Sequence, residues 1–386
     1  MAAPPDIEVV AGALLHHGRV LSARRVHPPD VAGGWELPGG KARPDETREA
    51  AVVRELREEL GCSVAVVGAI EGRVDVKPGY VLTVLLVRLV SGEPVPHEHD
   101  AVRWLGPEEL GDVEWLPADR PFLPTLRELL LDGERLPGGN VAGAVRVGRT
   151  VRRATGPWTE AVHALLDHLR AAGLVQAPQV LGYDGRGREV LTFLPGRVPD
   201  VDVEVLDEST LADAMRWLRR FHEAVREFRP AAGLTWRTVH RGLATDEIVC
   251  HHDFAPYNVA LTRSPDGECL AGVFDWDMSG PGTALQDLAF AAWNWVPLWR
   301  DLAPALAAER VEVMASAYGA AITAVDIVDA VQPRIRRSLD VIRAGQMAGD
   351  PGMLNLRTVG EPERTTRSLA NLAQRIPAIR RELQRS

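Results

Sequence analysis

The chain holds 386 residues, 46% apolar and 25% charged, enough for two or more hydrophobic cores; this excludes a disordered tail and a small disulfide-stapled scaffold. Its formal net charge of −9 argues against a generic nucleic-acid backbone binder. Three scattered cysteines, Cys62, Cys250 and Cys269, give neither zinc spacing nor a disulfide framework, which fits a reducing cytoplasm, and no apolar run reaches the roughly 18 residues that span a bilayer.

The opening MAAPPDIEVV lacks the basic start and apolar core of a secretion signal. Residues 7–15 and 80–90 are β-rich runs bounded by turns. Between them, residues 47–60 have helical period, with Ala50, Val53, Leu56 and Leu60 on one stripe, Thr47 as the cap and Gly61 as the stop. Residues 117–124 read as loop, 125–133 as a short helix and 133–137 as a linker. In the second half, 144–154 and 188–196 read as β, and 157–173 between them as a helix. Helices dominate from 204, interrupted at 250–258 and 275–287. Trp293, Trp295 and Trp299 lack a basic stripe beside them, so they read as core or cleft wall and not as a stacking platform for nucleic acid.

Glu55, Glu58 and Glu59 stand at i, i+3 and i+4 on the predicted helix and share a face. Like charges at that spacing cost roughly 0.2–0.5 kcal/mol per pair, and a hard cation turns the repulsion into coordination. The surrounding pattern is longer. Gly40 is followed after five residues by Glu46 and after seven more by Arg54-Glu55-Leu56-Arg57-Glu58-Glu59-Leu60-Gly61. This stretch resembles the Nudix box, with Cys62 where that family usually carries an aliphatic residue. The resemblance implies an α/β/α sandwich over residues 1–132 that cleaves a nucleoside diphosphate linked to another group. Gly39, Glu55, Glu58 and Glu59 would hold Mg²⁺ or Mn²⁺, and Glu46 with Arg54 would tie the loop to the helix. Either Glu55 or Glu98 would take the proton of the attacking water. The segments GRVLSARR, GWELPGGK, HEHDAVRWL and WLPADRPFL resemble the MutT-type branch, which implies hydrolysis of a nucleoside triphosphate to monophosphate and pyrophosphate. There Arg24 would contact a phosphate, Glu98 would complete the metal set, and Asp119 would read the base. ADP-ribose or a nucleotide sugar is the alternative substrate class.

Residues 250–259, CHHDFAPYNV, space Asp253 and Asn258 as a phosphotransferase catalytic loop does. An apolar strand later runs into Asp275. Phosphoryl transfer needs a carboxylate to accept a hydroxyl proton, and an amide plus a second carboxylate for metal. This half, 138–386, resembles the aminoglycoside phosphotransferase and choline kinase-like family, which implies a two-lobed, protein-kinase-like α+β fold. Asp253 would be the base, Asn258 and Asp275 metal ligands, His251 a loop support, Asp287 a buried structural acid, and Thr192 a neighbour of the adenine. ATP or GTP would be the donor and a small hydroxylated molecule the acceptor. The family's small-lobe lysine is missing, since Lys41 and Lys77 are the only lysines in the chain. Arg152 or Arg153 is expected to replace it, only one of the two facing Asp275 because strand neighbours point oppositely. A bifunctional enzyme is expected; the alternative is a hydrolase carrying a nucleotide-binding module without kinase chemistry.

Overall fold

The structure is a computed structural model that describes residues 7–136, 143–239, 241–264, 267–319 and 321–385. Two compact units divide the chain: one takes the residues through Leu136 together with Val145–Thr150, the other takes the remainder.

In the first unit, β1 (Ile7–His16), β2 (Arg19–Arg24), β3 (Trp35–Glu36), β4 (Gly39–Lys41), β5 (Ser63–Ala69), β6 (Val74–Lys77), β7 (Tyr80–Ser91) and β8 (Ala101–Leu105) form one mixed sheet. Its main path runs β3-β2-β1-β7-β5. β1 and β7 are parallel, with Ile7 opposite Tyr80 and Leu15 opposite Arg88. Successive strand residues face opposite sides. Val10 and Leu14 therefore join Val52, Leu56 and Leu60 of α1 (Arg48–Leu60) in one core, while Ala11 and Ala13 join Leu126 and Leu130 of α2 (Leu123–Asp132) in another. Burial on both faces is why β1 reads as a nearly continuous apolar run. The result is an α/β/α sandwich.

Thr47 caps α1 by accepting the Ala50 N–H, and Gly61 ends it in the left-handed conformation. The buried face differs from the expected stripe. Ala51, Val52, Leu56, Glu59 and Leu60 are buried, whereas Ala50 is exposed and Val53 is half-buried. The helix is rotated so that one glutamate of the carboxylate set, Glu59, is buried.

β9 (Glu134–Arg135) and β10 (Val145–Val147) pair antiparallel, and the Gly148 N–H donates to the His17 carbonyl at 3.0 Å. These bonds hold 145–150 in the first unit, although the sequence opens its second domain at 138. Pro137, the last residue of the expected linker, and residues 138–142 lie outside the described residues.

The second unit has a small lobe in which β13 (Glu189–Thr192) lies between β11 (Thr150–Arg153) and β12 (Val180–Tyr183), with α3 (Thr159–Ala171). Its larger lobe contains α4 (Glu208–Ala224), the antiparallel pair of β14 (Ile248–Cys250) with β17 (Gly280–Gly282), and the hairpin of β15 (Val259–Ser264) and β16 (Gly267–Val273). It continues through α5 (Ala284–Trp295), α6 (Pro304–Tyr318), α7 (Ala324–Met347), α8 (Pro351–Asn355) and α9 (Glu363–Leu383). Trp217, Phe221, Phe254, Trp276, Trp293 and Trp295 are buried in its core. Among the described residues, no helix is long and apolar enough to cross a membrane.

Candidate active sites

In the first unit, β4 and one face of α1 bring Gly39, Glu55, Glu58 and Glu59 together. The Gly39 N–H donates to Glu59 Oε2 at 2.9 Å. A Cβ on Gly40 would sit 2.5 Å from the Glu55 carboxyl carbon, so glycine lets β4 approach that carboxylate. Arg54 organises the set. It donates to Glu46 at 2.9 and 2.8 Å, to Glu55 at 2.8 Å, to Glu58 at 3.0 Å and to the Lys41 carbonyl at 3.1 Å. Arg54 holds the Glu46 carboxyl down at about 2, so this pair is ionic. Glu59 behaves oppositely: burial, together with the nearby Glu36 and Glu55 carboxylates, pushes it up to about 7. A buried Glu59 beside a half-buried Glu55 and a half-exposed Glu58 is a donor set that a divalent cation would neutralise. Glu98 is exposed on the loop between β7 and β8.

Arg24 is half-buried and held by Asp100 through two bonds of 2.8 and 3.0 Å. Its neighbour Arg25 instead bonds the buried Glu36, which also meets His99 Nε2 at 3.1 Å. Sequence reasoning missed this Arg25–Glu36–His99 network. Its one signal is a glutamate two residues before Pro38 in a strand that is otherwise apolar. Asp119 is buried, 4% exposed, and accepts the Leu37 N–H at 3.1 Å. Burial and the Glu36 charge push its carboxyl up to about 7, so near neutrality it is able both to accept and to donate.

In the second unit, the β14–β17 pair and the β15–β16 hairpin fix the two halves of the other expected site. Asn258 Nδ2 donates to Asp253 Oδ2 at 2.7 Å, and the Asn258 carbonyl accepts the Phe274 N–H at 3.0 Å, one residue before Asp275. His252 and Asp275 adopt left-handed backbone, with φ of 63° and 59°. Such conformations in non-glycine residues cost of order 1–3 kcal/mol and persist where surrounding structure over-determines them. At His252, Asp287 supplies that determination. It is fully buried, accepts the backbone N–H of His251 at 2.8 Å and of His252 at 2.7 Å, and meets His222 Nε2 at 3.1 Å. These donors outweigh burial and hold its carboxyl well below the usual range. His251 is buried and its Nδ1 accepts the Asp253 N–H at 3.3 Å. Burial and the Asp275 charge push Asp253 up to about 7. The sequence reading overlooked Tyr257, whose hydroxyl donates to Asp253 Oδ1 at 2.9 Å.

Arg153 is the arginine that reaches Asp275, at 3.2 Å; it also bonds Asp277 and the buried Glu189. Arg152 points elsewhere, to Asp184 at 3.3 Å. Glu189 in turn meets His163 of α3 at 2.7 Å, so the arginine's tie to that helix runs through a strand glutamate. Thr192 uses its hydroxyl to accept the Gln179 N–H at 2.8 Å.

Comparison with known proteins decides the family. Residues 7–126 match the NUDIX domain. A Mycobacterium tuberculosis protein provisionally named 8-oxo-dGTP diphosphatase 2 is 44% identical over 125 residues, 32% of this chain and 89% of that protein. The chain belongs to the Nudix family. The CTP pyrophosphohydrolase of Escherichia coli K12 is 38% identical over 125 residues, 32% of this chain and 93% of that protein. Beyond the Nudix domain, residues 144–244 and 234–320 match the phosphotransferase enzyme family. The trifolitoxin immunity protein of Rhizobium leguminosarum bv. trifolii is 34% identical over 170 residues, 43% of this chain and 63% of that protein.

Proposed function

We propose that the Nudix unit hydrolyses a nucleoside triphosphate to monophosphate and pyrophosphate with Mg²⁺ or Mn²⁺. The observation that carries this reading is the carboxylate set of Glu55, Glu58 and Glu59 folded against Gly39 and Gly40 of β4 and braced by Arg54. Those residues, with Glu98, would hold the cation, which when bound supplies positive charge to phosphate oxygens and acidifies water. Glu55 or Glu98 accepts the water's proton. Arg24 is the phosphate contact that this reading assigns, and Asp119 the base reader; cytosine and 8-oxoguanine, the bases named for the relatives, are its first candidates. A panel of nucleoside triphosphates, ADP-ribose and nucleotide sugars with Mg²⁺ tests the reading. Pyrophosphate release from one triphosphate well above the rest is expected; preference for ADP-ribose or a nucleotide sugar refutes it.

The second unit transfers the γ-phosphoryl group of ATP or GTP to a small hydroxylated molecule, with Asp253 accepting the hydroxyl proton and Asn258 and Asp275 holding the cation. Support comes from the Asp253–Asn258 contact and from Arg153 beside Asp275, with Arg152 turned to Asp184. Arg153 is already engaged by three acids, which favours a nucleotide-binding module over a kinase if phosphate transfer is absent. Isothermal titration with Mg·ATP and Mg·GTP, followed by γ-phosphate transfer to a hydroxyl library, separates these: binding without transfer leaves the module, and no binding refutes both.

A further inference from the structure

Glu98 has no strand or helix of its own to hold it. It lies in a bend, exposed, between two histidines that are both engaged. On one side the loop hooks onto the end of α1. The Val95 N–H donates to the Leu60 carbonyl at 2.9 Å and the His97 N–H to the Glu59 carbonyl at 2.8 Å. The His97 side chain adds a contact from Nδ1 to the Glu58 carbonyl at 3.2 Å. These are last-turn carbonyls that the helix itself leaves without partners. Two of the three, those of Glu58 and Glu59, belong to residues expected to hold the cation. Gly61 makes room for the ring: a Cβ there would come 2.9 Å from His97 Cε1.

On the other side, His99 Nε2 meets Glu36 of β3 at 3.1 Å, and Asp100 bonds Arg24 through both its backbone and its carboxylate. The His99 side chain is 4% exposed, and its Nδ1 is buried without a partner. An imidazole buried against a carboxylate is an expensive way to fill space, and an apolar side chain would pack there more cheaply. What the pair adds is direction. It fixes the residue after Glu98 to the strand that leads into Gly39.

We propose that His97 and His99 are positioning residues that clamp the Glu98 loop between the C-terminal end of α1 and β3, so that Glu98 is presented to the cation held by Glu55, Glu58 and Glu59. The inference rests on the Nudix metal site proposed above, and deepens it. Partners of this kind typically change metal affinity by about 10–100-fold when removed.

The test is Mn²⁺ binding to the full chain without nucleotide, read from the free-ion EPR signal, with thermal unfolding measured in parallel. Glu98→Gln, His99→Ala and His97→Ala are each expected to weaken Mn²⁺ by about tenfold or more. His99→Gln keeps an N–H near the reach of Nε2, and His97→Asn keeps one near Nδ1; both are expected to recover most of the affinity. His97 is exposed, so its variants remain informative if His99→Ala folds poorly. Two results overturn the clamp alone while Glu98→Gln still weakens binding: wild-type affinity in both alanine variants, or alanine and conservative variants that bind equally weakly. Wild-type affinity in Glu98→Gln removes Glu98 from the metal set, and the clamp with it.

Discussion

Asp287→Asn is a change of one atom at a fully buried acid of the second unit. Both carboxylate oxygens are in use: Oδ1 accepts the His252 N–H, while Oδ2 accepts the His251 N–H and meets His222 Nε2. Whichever oxygen becomes the amide nitrogen, a backbone N–H then faces another N–H. Hydrogen bonds to a charged group contribute about 1.5–3 kcal/mol each, and a buried donor left without an acceptor costs about 1–3 kcal/mol. Together these give about 3–5 kcal/mol, the usual scale for breaking a buried charge pair. Against a total stability of about 5–15 kcal/mol this is severe. With a urea dependence of about 2–3 kcal/mol per molar, the midpoint falls by about 1–2 M. Tryptophan fluorescence reads this unit well, since Trp217, Trp236, Trp276 and Trp295 are all in its core. The pH dependence has a definite sign. A carboxyl held low in the fold stabilises above its unfolded value of about 3.9, and that contribution disappears as pH falls through the folded value. The gap between wild type and variant therefore closes only in strong acid. A loss smaller than about 1 kcal/mol at neutral pH would refute the role given to Asp287.

Glu59→Gln removes one expected ligand and is expected to lower hydrolysis by about 100-fold or more, since a bound cation contributes several kcal/mol of charge stabilisation. Because the Glu59 carboxyl is raised to about 7 in the fold, its contribution to stability is lost as pH rises through that value. The metal-free variant should then melt no lower than wild type above pH 7; a lower melting temperature there contradicts the assignment. Asp119→Ala should reorder cytosine- and 8-oxoguanine-containing triphosphates in a kcat/KM panel, and an equal loss for every base would show that it does not read the base. Phosphoryl transfer by the second unit should rise with pH through about 7 as Asp253 ionises, and Tyr257→Phe, by removing a donor to that carboxylate, should move the midpoint upward. A pH-rate profile that is flat from 6 to 8 would exclude Asp253 as the base.

Local features of the sequence decided much of this protein. Thr47, the glutamates at i, i+3 and i+4, and Gly61 specify a capped helix carrying acids because capping and helical period act within a few residues. The Asp253–Asn258 spacing likewise needs only its own loop. Tertiary structure decided what depends on partners distant in the chain. Whether Ala50 or Ala51 is buried depends on the sheet beneath α1, and that rotation puts Glu59 inside. Asp119 is buried because it meets Leu37, and His99 because it meets Glu36. Strand alternation allowed one inward arginine of the two at 152 and 153; Glu189 and Asp277, brought close by folding, select Arg153. Residues 145–150 pack with the first unit because the β9 pairing and the His17 carbonyl hold them there. Capping, period and loop spacing are short-range and legible in sequence, whereas the pairing of buried charges is settled only when distant strands meet and water is expelled.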